Sequence, residues 1–225
     1  MLSAIKSGGI KVITDGLGLY YDAAYRQSYP GTGATWTDLK NGTPCAIGSI
    51  YYAWYSGDGG YFSDFANFAT TFQIDSGYSA TNLSGVTMQA VVRFDRGQYE
   101  QATLIASSNS GGNNFKLQPN GIVSDGGSRN AYTTNPQNTW YFVSGIRDAS
   151  NLFMSVRINN GSRVTNTYAS MSNVSFTDGW MVSANRTGGV VLLDPRVAVV
   201  LFYTRALTSD EEIHNYNALK LRYGI

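Results

Sequence analysis

Residues 197–225 read VAVVLFYTRALTSDEEIHNYNALKLRYGI, and this stretch decides the class of fold. The segment from Val197 to Phe202 is apolar on both faces, as expected of a central strand that is covered on both sides. Thr208 is followed three residues later by Glu211, the pattern of a capping box at a helix start. Gly224 suits the end of the same helix. The sequence therefore predicts a buried strand followed by one short C-terminal helix that caps the sheet.

Elsewhere the dominant pattern is the period-2 alternation of β-strands. Asn160-Gly161 supplies the positive φ angles of a tight hairpin turn after one such segment. About ten to twelve short strands with regular turn signals indicate a sandwich or a barrel. The clearest alternation places five apolar side chains on one face, namely Val86, Met88, Ala90, Val92 and Phe94.

Composition supports strands and excludes one class of partner. The chain has 225 residues, of which 14% are charged and 13% aromatic, with a formal net charge of +1. Helical proteins rely on Glu, Lys, Ala and Leu, and only three residues here are Glu. A near-neutral chain lacks the basic face that a counterion-releasing nucleic-acid binder needs. We expect one domain and no nucleic-acid partner.

The sequence predicts no targeting segment. The first residues, MLSAIKSGGIKVITDG, lack the apolar core of a signal peptide, and no apolar run is long enough to span a bilayer. Cys45 is the only cysteine, so an intrachain disulfide cannot form. We interpret residues 1–13 as an N-terminal arm and residues 14–225 as the domain, made in a cytoplasm and not inserted in a membrane.

Three segments carry a resemblance to a known family. Asp15 to Leu39 reads DGLGLYYDAAYRQSYPGTGATWTDL, Thr139 to Val143 reads TWYFV, and the closing strand and helix follow the pattern quoted above. These motifs resemble the concanavalin A-like lectin/glucanase superfamily, in the laminin-G-like branch found in bacteriophage structural proteins. The resemblance spans residues 14–225. It implies an all-β, two-sheet antiparallel jelly-roll sandwich with one short C-terminal helix.

Enzymatic residues of the glucanase branch have no counterpart in the sequence. The glucanases of this superfamily share a strand with the pattern Glu-x-Asp-x-(x)-Glu, which supplies their two catalytic carboxylates. No such segment occurs in this sequence. Glu100 stands alone, whereas Glu211 and Glu212 belong to the helix start. His214 is the only histidine and has no obvious catalytic partner. The sequence therefore predicts that the chain is not an enzyme and needs no cofactor.

Calcium is the one cation that the sequence leaves open. Many lectin-like sandwiches hold Ca²⁺ with loop aspartates, since hard cations prefer oxygen ligands. Asp58 and Asp64 flank a Gly-Gly-Tyr-Phe stretch and are candidate ligands. Ordinary turn aspartates are the alternative interpretation.

An aromatic segment, residues 50–62, is the most unusual part of the chain. Such rings combine apolar area with a hydrogen-bonding edge, which suits core packing, a subunit interface or glycan contact. Arg129, in a Gly-, Ser- and Asn-rich loop, belongs to a second candidate recognition surface. The candidate ligand-binding or interface residues of the segment are Tyr51, Tyr52, Trp54, Tyr55 and Tyr61.

Two functions follow from the resemblance and the composition. The first is a phage virion structural or accessory protein, in a capsid, tail or fibre, that contacts other virion proteins and can form a homo-oligomer. The alternative is a carbohydrate-binding adhesin that recognises host-surface glycans. The location that the first function implies is the virion.

Overall fold

A computed structural model describes most of the chain. The described residues are 11–47, 52–64, 78–94, 105–107, 115–118, 123–124, 130–131, 133–134, 136, 138–176, 180–182 and 195–225. They contain 17 strands and one α-helix. This exceeds the predicted number of strands because several are only two or three residues long, too short for an alternation pattern.

The elements follow one another in a simple order. The strands are β1 Leu17–Asp22, β2 Thr35–Thr37, β3 Pro44–Ala46, β4 Tyr52–Tyr55, β5 Tyr61–Asp64, β6 Ala80–Leu83, β7 Gly85–Phe94, β8 Ile105–Ser107, β9 Lys116–Leu117, β10 Val123–Ser124, β11 Asn130–Ala131, β12 Trp140–Asp148, β13 Phe153–Ile158, β14 Val164–Thr167, β15 Val174–Phe176, β16 Trp180–Val182 and β17 Pro195–Tyr203. A 3₁₀ turn at Gly57–Gly59 joins β4 to β5, and the helix α1 is Ser209–Tyr223.

Two larger sheets form the layers of a sandwich. The eight-stranded sheet has the order β14-β13-β12-β7-β17-β5-β4, with β1 also paired to β17. The five-stranded sheet has the order β11-β10-β9-β8-β16. Every recorded pairing of these strands is antiparallel. The predicted two-sheet antiparallel sandwich with one C-terminal helix is confirmed.

The inner core lies between the two sheets. The predicted apolar face of β7, residues 86–94, packs there with Phe115, with Leu117 of β9, and with Val197 and Phe202 of β17. The opposite face of β17 carries Ala198, Val199 and Leu201, which are also buried. The prediction that this strand is covered on both sides is confirmed, because α1 packs over its second face.

Helix α1 begins and ends as the sequence predicts. The Thr208 hydroxyl accepts a hydrogen bond from the backbone N–H of Glu211, and the Glu211 carboxylate accepts one from the backbone N–H of Thr208 at 2.9 Å. Gly224 adopts a left-handed conformation with φ 66°, which glycine adopts without a Cβ penalty. In the described part of the chain, no helix is long and apolar enough to cross a membrane.

A polar row lies beneath the N-terminal half of α1. Arg157, Ser144 and Gln89 are directly opposite one another on β13, β12 and β7. The Ser144 hydroxyl donates to Glu212 of the helix at 2.6 Å, and the side-chain amide of Asn215 donates to Gln89 at 2.8 Å. Polar side chains on this face of the sheet therefore meet a helix instead of solvent.

The described end of the predicted arm is part of the packed domain. Val12 is buried against the outer face of the eight-stranded sheet, where Ile13 also packs. The backbone N–H of Ile13 donates to the side chain of Asn215 at 2.7 Å, and the Tyr203 hydroxyl donates to the Ile13 carbonyl at 2.9 Å. Residues 11–13 thus pack with the domain, whereas the arm at residues 1–10 lies outside the described residues.

Candidate functional site

The described part of the aromatic segment, residues 52–62, forms a hairpin at one edge of the eight-stranded sheet. Tyr55 lies directly opposite Tyr61, and Trp54 lies opposite Phe62. The connecting turn is rich in glycine, and Asp58 within it has a positive φ of 47°. This hairpin brings three of the predicted site residues together, namely Trp54, Tyr55 and Tyr61.

Adjacent residues of β4 point to opposite faces of the sheet. Trp54 packs against the inner core, where its ring lies 5.8 Å from that of Tyr29 and its Nε1 donates to the Ala23 carbonyl at 3.0 Å. Tyr55 lies on the outer face and stacks on Tyr61 with ring centroids 5.2 Å apart. Trp54 is therefore half-buried as an anchor, and Tyr55 is the more suitable contact residue of the pair.

Aromatic contacts continue from the hairpin to the end of the helix. The ring of Tyr61 lies 5.3 Å from that of Trp140, and the ring of Trp140 lies 5.6 Å from that of Tyr223. Arg222 then lies over both Tyr223 and Tyr25, at 5.7 and 4.9 Å from the ring centroids. We call Tyr55, Tyr61, Trp140, Tyr223 and Tyr25, in this order, the aromatic row.

The middle of the aromatic row is covered by the glycine-rich turn. Trp140 donates from Nε1 to the Asp58 carboxylate at 3.2 Å, and a Cβ built on Gly59 would lie 3.1 Å from atoms of Arg222 and Tyr223. Tyr61, Trp140 and Tyr223 are each at most 8% exposed. The less covered rings of the row are therefore those at its two ends, the half-buried Tyr55 and the exposed Tyr25.

Tyr25 is the most accessible ring of the row, with 46% of its surface exposed. Its loop is fixed by local hydrogen bonds, since its N–H donates to the Asp22 carbonyl at 3.1 Å and its carbonyl accepts from Tyr29 at 2.7 Å. Behind the ring, Arg222 forms an ion pair with Asp22. The sequence interpretation missed Tyr25, because a single tyrosine in a turn carries no periodic signal.

Burial raises the pKa of two phenols in the covered middle of the row, those of Tyr61 and Tyr223. Arg196, whose guanidinium lies 5.4 Å from the ring centroid of Tyr61, partly opposes the rise in the pKa of that residue. Because the ordinary pKa of tyrosine is about 10, both hydroxyls stay protonated and can donate hydrogen bonds.

The remaining predicted site residues are only partly described. Tyr51 and Arg129 lie outside the described residues, and Tyr52 and Asp64 are described by their backbone, at opposite termini of the paired strands β4 and β5. Asp58 precedes β5, and Asp64 ends it. Among the described residues, no group of three or more His, Cys, Asp or Glu could hold a metal ion. The calcium site stays a prediction.

Both glutamates at the helix start are held by arginines. Arg205 donates to the two carboxylate oxygens of Glu211 at 2.7 and 2.8 Å. Arg163 donates from Nε to the fully buried Glu212 at 2.9 Å. These carboxylates stabilise the attachment of the helix, in agreement with their assignment to the helix start.

Comparisons with known proteins identify the fold. No protein-family model matches the chain, and no curated protein matches it. Among solved structures, a sialidase from Trypanosoma rangeli in complex with sialic acid aligns over 94% of this chain and 34% of its own, at 17% identity and a TM-score of 0.57. Two toxin domains align as well.

The alignments with the toxin domains cover a larger share of the matched chain than the alignment with the sialidase does. The binding domain of botulinum neurotoxin serotype D covers 92% of this chain and 53% of its own, at 10% identity and a TM-score of 0.65. The binding domain of paraclostridial mosquitocidal protein 1 covers 91% and 52%, at 14% identity and a TM-score of 0.64. Such identities show a shared β-sandwich, lectin-like fold and nothing finer. The chain spans only part of each of these proteins.

The expectation that the chain is not an enzyme is wrong in the light of these comparisons. Sialidases are enzymes, and several structures of the T. rangeli sialidase contain this fold over 94% of the present chain. The missing Glu-x-Asp strand excludes only one type of glycosidase site. The same fold also occurs in toxin binding domains, so the fold itself decides neither for nor against catalysis.

Proposed function

We propose that this chain is a carbohydrate-binding domain that contacts sugars through the two ends of the aromatic row, the exposed Tyr25 and the half-buried Tyr55. The observation that carries the proposal is the ring of Tyr25, which is 46% exposed and supported from behind by Arg222. A ring held in this way offers a rigid apolar surface to the C–H face of a sugar, and its hydroxyl offers a hydrogen bond.

The fold and the hairpin support the same proposal. Solved structures with this fold include a sialidase in complex with sialic acid and two toxin domains whose names describe them as binding domains. Tyr55 provides a second, half-buried ring, stacked on Tyr61, at the other end of the row. Two rings on one covered row suit an extended ligand with more than one sugar unit.

A glycan array followed by calorimetry with the full chain tests the proposal. We expect Tyr25→Ala and Tyr55→Ala each to weaken binding of an array hit about tenfold, the equivalent of about 1.4 kcal/mol. Tyr168→Ala is the control, because Tyr168 follows β14 at the opposite end of the sheet, where its hydroxyl donates to Asn130. Equal affinities in all four proteins, or no array hit, would contradict the proposal.

Trp54→Ala is a less informative probe of the site. Its indole N–H donates to the Ala23 carbonyl and its ring packs on Tyr29, so the substitution removes a support of the loop that carries Tyr25. We expect this variant to lose both stability and binding. The melting temperature of each variant therefore has to accompany its affinity.

We propose as a second function that the domain is a component of a phage particle. The resemblance of the opening and closing motifs, residues 15–39 and 197–225, supports this proposal. We expect the purified chain to co-sediment with phage particles. We expect a variant that lacks residues 1–10 to remain in the supernatant. Failure to associate with particles under any condition would contradict it, and the glycan-binding proposal would be unaffected.

A further inference from the structure

We propose, on the basis of the proposed function, that the end of the aromatic row at Tyr25 binds sugars that carry a carboxylate. Uronic acids and sialic acids share this chemistry, a pyranose ring with one carboxylate. The inference rests on which charges face solvent beside the Tyr25 ring.

In the ion pair behind Tyr25, the side chain of Arg222 is more exposed to solvent than that of Asp22. The Asp22 side chain is 0% exposed, whereas that of Arg222 is 27% exposed. The Asp22 carboxylate also accepts hydrogen bonds from the Tyr20 hydroxyl at 3.0 Å and from the Ala24 N–H at 3.0 Å. A ligand at the surface therefore meets the guanidinium, while the negative charge stays inside.

A second arginine follows Tyr25 directly. Arg26 is exposed, and so is Gln27. Their loop is fixed on both sides, because Ser28 and Tyr29 donate their N–H groups to the Tyr25 carbonyl at 2.9 and 2.7 Å. Arg26 thus follows the exposed ring within a backbone turn that these hydrogen bonds fix, and a guanidinium can bind a carboxylate with two parallel hydrogen bonds.

The described charged residues at the Tyr25 end of the row, Arg26, Arg222 and Asp22, carry one more positive charge than negative. Arg26 and Arg222 are balanced there by one carboxylate, that of Asp22, which is buried and paired with Arg222. Arg196 lies over Tyr61, away from that end, where Asp58 is an exposed acidic residue in contact with the row. Asp58 already accepts the indole N–H of Trp140, at the covered middle of the row. The whole chain carries only +1. This complementarity favours an anionic sugar at the Tyr25 end over a neutral one.

Calorimetry with matched sugars tests the inference. The probes are 3′-sialyllactose against lactose, and trigalacturonate against galactotriose, titrated into the full chain at low and high salt. We expect at least one acidic probe to bind about tenfold more tightly than its neutral counterpart at low salt, and the preference to shrink as salt screens the charges. The acidic probe that shows the preference identifies the source of the carboxylate.

Two variants assign the preference to this site. We expect Arg26→Gln to weaken the acidic probe about threefold to tenfold and to leave the neutral probe and the melting temperature unchanged, because Arg26 is exposed. Lys116→Gln, on β9 of the five-stranded sheet, removes one positive charge elsewhere and is expected to change neither affinity.

The outcomes separate this inference from the proposed function. Equal affinity for acidic and neutral sugars, or an acidic preference that Arg26→Gln does not reduce, overturns the carboxylate site and leaves glycan binding intact. Absence of binding to every sugar overturns both proposals.

Discussion

The two halves of helix α1 are each attached to the sandwich by an arginine–carboxylate pair, and the two pairs have different roles. Near the N-terminus, the fully buried Glu212 contacts Arg163, Arg157 and the hydroxyl of Ser144. Near the C-terminus, Arg222 contacts the fully buried Asp22. In both pairs the carboxylate is enclosed and the arginines come from a different element.

The difference lies in what the arginine touches next. Arg157 continues to the Gly161 carbonyl and the Ser209 hydroxyl, so its contacts fix the helix start to a hairpin. Arg222 continues to the ring of Tyr25, which is exposed. The same pair chemistry therefore holds the fold together at one end and presents a ring to solvent at the other.

The largest expected effect is on Glu212. Glu212→Gln removes the charge that offsets Arg157 and Arg163 inside the protein, and breaking a buried pair in this way costs about 3 kcal/mol or more. We expect chemical denaturation to show this loss in the free energy of unfolding, with sugar affinity per folded molecule unchanged. A loss below about 1 kcal/mol would show that the pair does not stabilise the helix attachment.

The corresponding change at the other end is expected to be smaller in stability and larger in function. Asp22→Asn leaves Arg222 without its partner charge, but that guanidinium is partly exposed and can be hydrated, so we expect a loss of about 2 kcal/mol. Because Arg222 supports Tyr25, sugar affinity should fall as well. Unchanged sugar affinity in a folded Asp22→Asn protein would contradict the role of the Asp22–Arg222 pair in sugar binding.

The helix cap is expected to contribute less than either pair. Thr208→Ala removes the hydroxyl that accepts the Glu211 N–H, which costs about 1 kcal/mol at a typical N-cap. Thr208→Ser keeps the acceptor and serves as the matched control. Thermal unfolding of the two variants should differ. Equal melting temperatures would assign no stabilising role to the cap.

The smallest effect concerns pH. Hydrogen bonds from Arg205 lower the pKa of Glu211 from its ordinary 4.5 to about 2. Because the pKa is lower in the folded state, this stabilisation is complete above the unfolded value and is lost as the pH falls from about 4.5 towards 2. Glu211→Gln keeps the side-chain acceptor of the capping box. We expect the free energy of unfolding of this variant to depend less steeply on pH in this window than that of the original protein. An unaltered pH dependence would contradict the assignment.

Much of the fold could be predicted because its signals are local. The alternation over residues 86–94 defines one face of β7, and the pattern from Thr208 to Glu211 defines the start of the helix. The candidate site was predictable only in part. Tyr55 and Tyr61 belong to a crowded aromatic segment, whereas Tyr25 is a lone ring whose support, Arg222, comes from the other end of the chain.

The sequence by itself determined the longer strands, the place of the turn after β13 and the capped helix, since each depends on residues a few positions apart. The positive φ angle of that turn lies at Asn159 and not at the predicted Asn160-Gly161. Only the tertiary structure decided that Glu212 and Asp22 are both buried against arginines, and that one of these arginines lies beneath an exposed ring. The physical reason is that an ion pair or a ring contact depends on distance in space, which folding sets by bringing the two ends of the chain together across β1 and β17.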